Sequence, residues 1–315
     1  MSPLAVVAIG GNSLIKDKMH QAVRDQYVAA HETSGHIASM IDEGYDVVIG
    51  HGNGPQVGFI LRRSELAAHE LHEVPLDVCG ADSQGAIGYA LVQNLENDLR
   101  RRGITRPVAA VVTQTEVAAD DPAFSHPSKP IGSFMEEEEA LRRRDRDGWD
   151  VMEDAHRGWR RVVASPRPLR IVELDALEAL VAAGVIVVAA GGGGIPVVAD
   201  DEGDLHGVEA VIDKDLGCSL LARRLGAELF LITTAVEKVA LDFGTENERA
   251  IDHMTLAEAR DRLAEGRHFA PGSMAPKIEA IIEYLEDGGE TAIVTDPANL
   301  GRALAGDTGT RFTVD

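Results

Sequence analysis

Three lysines in this chain sit where charge chemistry could be done. They are Lys129 in "FSHPSKPIGSF" (124–134), Lys214 in "VIDKDLG" (211–217) and Lys277 in "FAPGSMAPK" (269–277). The chain holds six lysines against twenty-four arginines; the others are Lys16, Lys18 and Lys238. An ammonium is a compact point charge that can follow a moving anion, whereas a guanidinium fork fixes one geometry. Phosphoryl transfer would use such groups, because its catalysis is mostly positioning and charge stabilisation. Lys214 falls at a predicted helix start, where the dipole disfavours a cation. A bound anion would supply the reason. The plainer alternatives are solvated surface lysines, with Asp213 or Asp215 acting as an N-cap.

Glycine-rich turns supply the second kind of group. "AIGGNSL" (8–14) carries Gly10, Gly11 and Asn12, "IGHGNGPQVG" (49–58) carries Gly52, Asn53 and Gly54, and "AAGGGGIPV" (189–197) follows a later strand. Backbone amides in such turns can approach an anion closely. None is a Walker A loop, and Pro55 breaks the G-x-G-x-x-G pattern, so neither a P-loop nor a dinucleotide fingerprint is present. His51, inside the second turn, reads as structural. Cys79 and Cys218 have no metal or redox spacing and read as buried thiols.

These groups need elements to hold them. Apolar β-branched runs predict strands at 4–9, 46–50, 108–114, 185–190, 229–233 and 292–295. Helical periodicity covers 24–42, 55–69, 81–102, 173–183, 215–225, 256–265 and 275–287. Continuous apolar strands imply burial on both faces, hence a mostly parallel sheet between helices. The turns then lie at strand carboxyl ends, where such sheets bind ligands. From 118 to 168 the rhythm breaks. This stretch holds five prolines, the run "MEEEEALRRRDRDGWD" and both tryptophans, Trp149 and Trp159. It reads as a lid or small subdomain, its charge run as a solvated helix face.

A chain of 315 residues with 44% hydrophobic content suits one large α/β domain or two lobes. The longest apolar run, "GVIVVAA" (184–190), is too short to span a membrane. The N-terminus lacks a basic signal-peptide start, so a cytoplasmic location is expected. A net charge of −22 opposes nucleic acid and anionic membranes. An anionic substrate would have to be attracted by a few local groups.

The motifs "AIGGNSL", "GHGNGPQVG", "PLDVCGADSQGAIGY" (75–89), "SKPIG", "GGGGIPV", "VIDKD" and "PGSMAPK" together resemble the carbamate kinase family of the amino acid kinase superfamily. The resemblance runs in order from residue 5 to about 295. It implies a three-layer α/β/α sandwich, an open, mostly parallel sheet of about eight strands, a protruding lid and a homodimer. It implies an N-terminal lobe (1–217) for carbamoyl phosphate, with the lid inserted at about 118–168, and a nucleotide lobe (218–315). The implied reaction is carbamoyl phosphate plus MgADP giving ATP and carbamate, ATP-forming in arginine catabolism.

The resemblance also implies roles. Gly10, Gly11, Asn12, Gly52, Asn53 and Gly54 would hold the carbamoyl and phosphoryl groups through backbone amides. Lys129 would reach in from the lid, Lys214 and Lys277 would clamp the phosphoryl, and Asp215 would orient the lysines. Thr233, Thr234, Ala235, Val236, Ala240, Met274 and Lys277 would face the nucleotide. Mg²⁺ would arrive with ADP or ATP rather than in a dedicated protein cage. Two positions depart from the family pattern: Ala240, usually tyrosine, and Ala275, usually glycine. The alternatives are another kinase of the superfamily acting on a different small carboxylate or phosphate, and a non-catalytic ligand-binding protein on the same fold.

Overall fold

The structure, a computed structural model, describes residues 2–11, 14–15, 19–20, 22–153 and 158–315, with Ser133 by its backbone alone. Strand β1 (Leu4–Ile9) leads through α1 (Val23–Asp42) to β2 (Asp46–His51), α2 (Gly54–Ala67), α3 (Leu76–Arg101) and β3 (Val108–Ala110). β4 (Gln114–Val117) precedes a protruding segment of β5 (Lys129–Met135), α4 (Glu137–Asp147), β6 (Asp150–Glu153) and β7 (Trp159–Val163). The chain returns through β8 (Pro168–Ile171), α5 (Leu174–Ala182), β9 (Ile186–Val188), β10 (Ile195–Ala199) and β11 (Leu205–Gly207). Then come α6 (Lys214–Leu225), β12 (Leu229–Thr233), β13 (Ala240–Leu241), β14 (Arg249–Ala250), β15 (His253–Thr255) and α7 (Leu256–Ala264). Helix α8 (Met274–Glu286), β16 (Thr291–Thr295), α9 (Leu300–Leu304) and β17 (Thr310–Thr313) close it.

The central sheet has eight strands in the order β15-β17-β16-β12-β1-β2-β9-β3. Its pairs are parallel except β16–β17. Alternation along the strands sends side chains to opposite faces. Val6, Ala8, Phe230, Ile232 and Val294 pack with α6 and α8 on one face. Ala5, Val7, Ile9, Leu231 and Ile293 pack with α1 and α3 on the other. Two apolar layers of this kind give the α/β/α sandwich its single through-running sheet. Strand β1 pairs with β12, so the sheet continues between the segments before and after residue 217, a position that itself lies inside α6.

One expected strand is corrected. The run 108–114 does not stay in the central sheet; β3 ends at Ala110 and β4 joins a second sheet ordered β11-β10-β4-β8. Gln84 drives the break, accepting from Thr113 N (2.8 Å) and donating to Thr113 O (3.1 Å).

The described residues of the irregular 118–168 segment form a small subdomain, here called the lid. β5, β7 and β6 form an antiparallel sheet beside α4. Helix α4 buries just Ala140 and ends at Gly148 (φ 68°), as a solvated helix with a left-handed cap should. Arg143 and Arg161 lie 4.9 and 5.1 Å from the Trp149 ring. These stacks order a segment with little apolar periodicity. The lid packs on α2 through Val57, Ile131 and Val163, and so closely that a Cβ on Gly58 would lie 2.7 Å from Gly132 Cα.

Candidate functional site

Strands β1 and β2 are parallel neighbours with Ile9 opposite His51, so their glycine turns emerge side by side. Gly52 N donates to Ile9 O (2.9 Å), and Gly10 N donates to Thr233 Oγ1 (3.1 Å). Those two amides therefore hold turn and strands together. What Gly52 supplies is room: a Cβ there would sit 3.2 Å from Gly11 N and 3.3 Å from Lys214 Cδ. In the third turn Gly192 has φ 68°, and a Cβ on it would lie 2.2 Å from Asn53 Nδ2. Asn53 in turn donates to Ser83 Oγ (2.8 Å). Asn12 lies outside the described residues.

Above these turns opens a cavity of about 900 Å³. Gly11, Gly52, Asn53, Gly54 and Gly192 line its floor, Lys214 and Asp215 one wall, and Lys277 another. Lys129 enters from the lid. The four groups expected to be catalytic thus meet in one place, although they are up to 148 residues apart in the chain.

Two aspartates organise the three lysines. Asp215, with a side chain 3% exposed, takes Lys214 on Oδ1 and Lys277 on Oδ2 (2.9 Å). Asp213 is the N-cap of α6: its Oδ1 accepts from Asp215 N (2.9 Å) while its Oδ2 accepts from Lys129 Nζ (2.5 Å). Three ammoniums face two carboxylates, a local surplus of one positive charge in a strongly negative chain. Burial opposes ionisation of Asp213, but the Lys129 charge beside it overcomes this and holds the carboxyl well below its usual range. Burial likewise opposes the charge on Lys214, and Asp215 reverses the balance and raises it. These neighbours explain how Lys214 is tolerated at the first turn of α6.

The second strand end is tightly filled. Burial pushes His51 down to about 4, and its Nδ1 donates to Gly52 O (3.2 Å). His51 is buried, as its structural reading requires. Burial pushes the Cys218 thiol up to about 12, and a Cβ on Gly50 would lie 2.2 Å from its sulfur. Cys79 is also buried.

Of the expected nucleotide residues, Lys277 lines this cavity. Thr233 ends β12, with Thr234, Ala235 and Val236 following. Thr234 N donates to Thr295 O (2.9 Å). Ala240 lies on β13, partly buried, and Met274 opens α8. Ala275 sits in that helix and is absent from the positive-φ residues, so replacing glycine there carries no strain. Sequence reasoning missed Arg160 and Phe134, which line the cavity from the lid with the guanidinium carbon 5.2 Å from the ring. No motif marked them out from the lid's other arginines and aromatics. It also read Asp213 solely as a cap.

A parallel α/β sheet with glycine turns and aspartate-held lysines at its strand ends defines a protein built to handle phosphate groups on small molecules. The amino acid kinase family model matches residues 3–296, and the chain belongs to that family. The carbamate kinase-like protein YahI of Escherichia coli is 49% identical over 316 residues, covering 99% of each chain. The carbamate kinase of Pyrococcus furiosus is 45% identical over 313 residues, again 99% of each. The structure of carbamate kinase from Giardia lamblia bound to AMP-PNP superposes with a TM-score of 0.92 at 38% identity, covering 100% of this chain and 99% of that one.

Proposed function

We propose that this chain is a carbamate kinase, transferring a phosphoryl group reversibly between carbamoyl phosphate and ADP to give ATP and carbamate. The observation that carries the reading is the cluster of Lys129, Lys214 and Lys277 on Asp213 and Asp215 at the strand ends. Full-length likeness to carbamate kinases supports it.

In this reading Lys214 and Lys277 clamp the phosphoryl group from opposite sides, with Asp215 fixing both. Lys129 closes over the acyl phosphate. The amides of Gly11 and Gly54, with Asn53, hold the carbamoyl end. Thr233 to Val236, Ala240 and Met274 flank the nucleotide. The segment 1–217 with its lid serves carbamoyl phosphate, and 218–315 serves the nucleotide. The attacking β-phosphate oxygen of ADP is already ionised, so the ATP-forming direction needs no general base. Charge on the transferred oxygens is met by fixed ammoniums, which need little reorganisation.

Among the described residues no group of three or more His, Cys, Asp or Glu side chains gathers to hold a metal. Asp213 and Asp215 are already tied to lysines. That donor set fits Mg²⁺ arriving on the nucleotide phosphates, where it neutralises part of their charge. Among the described residues no helix is long and apolar enough to cross a membrane. We place the enzyme in the cytoplasm, as a homodimer joined at the β3 edge. Tyr89 (60% exposed) and Val112 (54%) stand near that edge, and an unpaired edge strand calls for cover.

A coupled assay for ATP from carbamoyl phosphate and ADP tests the reading. ATP formation dependent on carbamoyl phosphate is expected; no ATP from folded protein supplied with Mg²⁺ would sink it.

A further inference from the structure

We propose that Asp213 is a positioning residue for the lid: it holds the Lys129 ammonium over the cavity and passes it to the phosphoryl group when substrate binds. The inference rests on the reading of Lys129 as a substrate-contacting group. Four observations carry it. First, the two oxygens of Asp213 have separate tasks. Oδ1 accepts from Asp215 N (2.9 Å) and fixes the carboxylate's direction, leaving Oδ2 to receive Lys129 Nζ at 2.5 Å. Serine, threonine or asparagine would cap α6 about as well, so capping alone does not call for a carboxylate.

Second, the neighbouring Asp215 already shares its single charge between Lys214 on one oxygen and Lys277 on the other. The lid lysine is paired with Asp213 instead. Third, the pair bridges two elements that are otherwise distant in the chain, β5 of the lid and the start of α6, 84 residues on. Fourth, both members line the cavity, with side chains 29% and 13% exposed. An ammonium held there by a monoanion can transfer to a phosphoryl dianion, whose field is stronger, without leaving the site. Holding the lysine in advance removes part of the ordering that closure would otherwise require.

A double-mutant cycle tests this. Asp213→Asn retains an oxygen for the cap and loses the charge. It should lower kcat/KM for carbamoyl phosphate about 10- to 100-fold while leaving KM for ADP within about 3-fold. Lys129→Met should lower it at least as far. In the Lys129→Met background, adding Asp213→Asn should change it by less than about 3-fold, because the residue it acts through is gone. Additive losses would overturn the inference alone. Full activity of Lys129→Met would overturn the reading of the site, and this inference with it. Acetylation of Lys129 in the unliganded enzyme, read by peptide mass spectrometry, gives an arm independent of turnover. It should rise several-fold in Asp213→Asn, and an unchanged rate would count against the pairing. Should Asp213→Asn fail to fold, the cycle is run with Asp213→Ser, which keeps a capping oxygen.

Discussion

Lys129 shows most directly how residue type matters here. Its ammonium sits 2.5 Å from Asp213 Oδ2, a fit that a longer, planar guanidinium cannot copy. Lys129→Arg should keep the melting temperature and lower kcat by about 100-fold; near-normal turnover would show that charge alone suffices. His51 gives a prediction of a different sort. Burial holds it neutral in the fold down to about 4, whereas in the unfolded chain it takes up a proton from about pH 6.5 downward. The unfolded state binds more protons in that window, so stability should fall by about 3 kcal/mol as pH drops from about 6.5 to about 4, and stay flat above it. Denaturant titrations of the wild type and His51→Gln check this; a slope that survives the substitution assigns the effect elsewhere. The lysines were legible in the sequence because the chain otherwise favours arginine. Asp213 was only half legible, since one carboxylate can serve a helix end and a distant partner at once.

At the scale of elements, the lid and α2 approach closely at Gly58 and Gly132, beside an apolar contact of Val57 with Ile131 and Val163. Adding a methyl in Gly58→Ala must displace the strand that carries Lys129 three residues upstream. We expect kcat/KM to fall about 10-fold while stability changes little, because alanine recovers about 1 kcal/mol of helix propensity. Unchanged kinetics would mean the contact does not set the lysine's reach. The long helices and the strands β1, β2 and β12 were readable from periodicity and apolar runs. The break after Ala110 was not, because it depends on Gln84, a helix residue 29 positions before Thr113. The lid strands were hidden for a related reason. Guanidinium–indole stacking and ion pairs help to order them, and their buried apolar residues, Ile131, Val162 and Val163, are too few to leave a periodic trace.

For the whole molecule, a net charge of −22 means that folding compresses like charges. Raising NaCl from about 0.05 to about 0.5 M should raise the melting temperature by about 5 °C through screening; a fall would show that local ion pairs outweigh the overall repulsion. Light scattering should give a mass twice 33.6 kDa if the β3 edge is paired, and Tyr89→Glu should reduce it to one copy. A dimer unaffected by that change would place the contact elsewhere. The eight-stranded sheet ties the early and late parts of the chain into one body, with β1 and β12 hydrogen-bonded at its centre.

The lid's attachment has an engineering consequence. Its two roots enter and leave through adjacent antiparallel strands, β4 and β8, and Asp121 Oδ2 accepts from Arg167 N (3.0 Å) across the gap. The whole protrusion therefore hangs from a closed doorway, and a short reverse turn could replace it without rerouting the chain. Such a cassette can be excised, exchanged or made to carry a reporter, leaving the sheet and its paired lysines on α6 and α8 as an independent chassis.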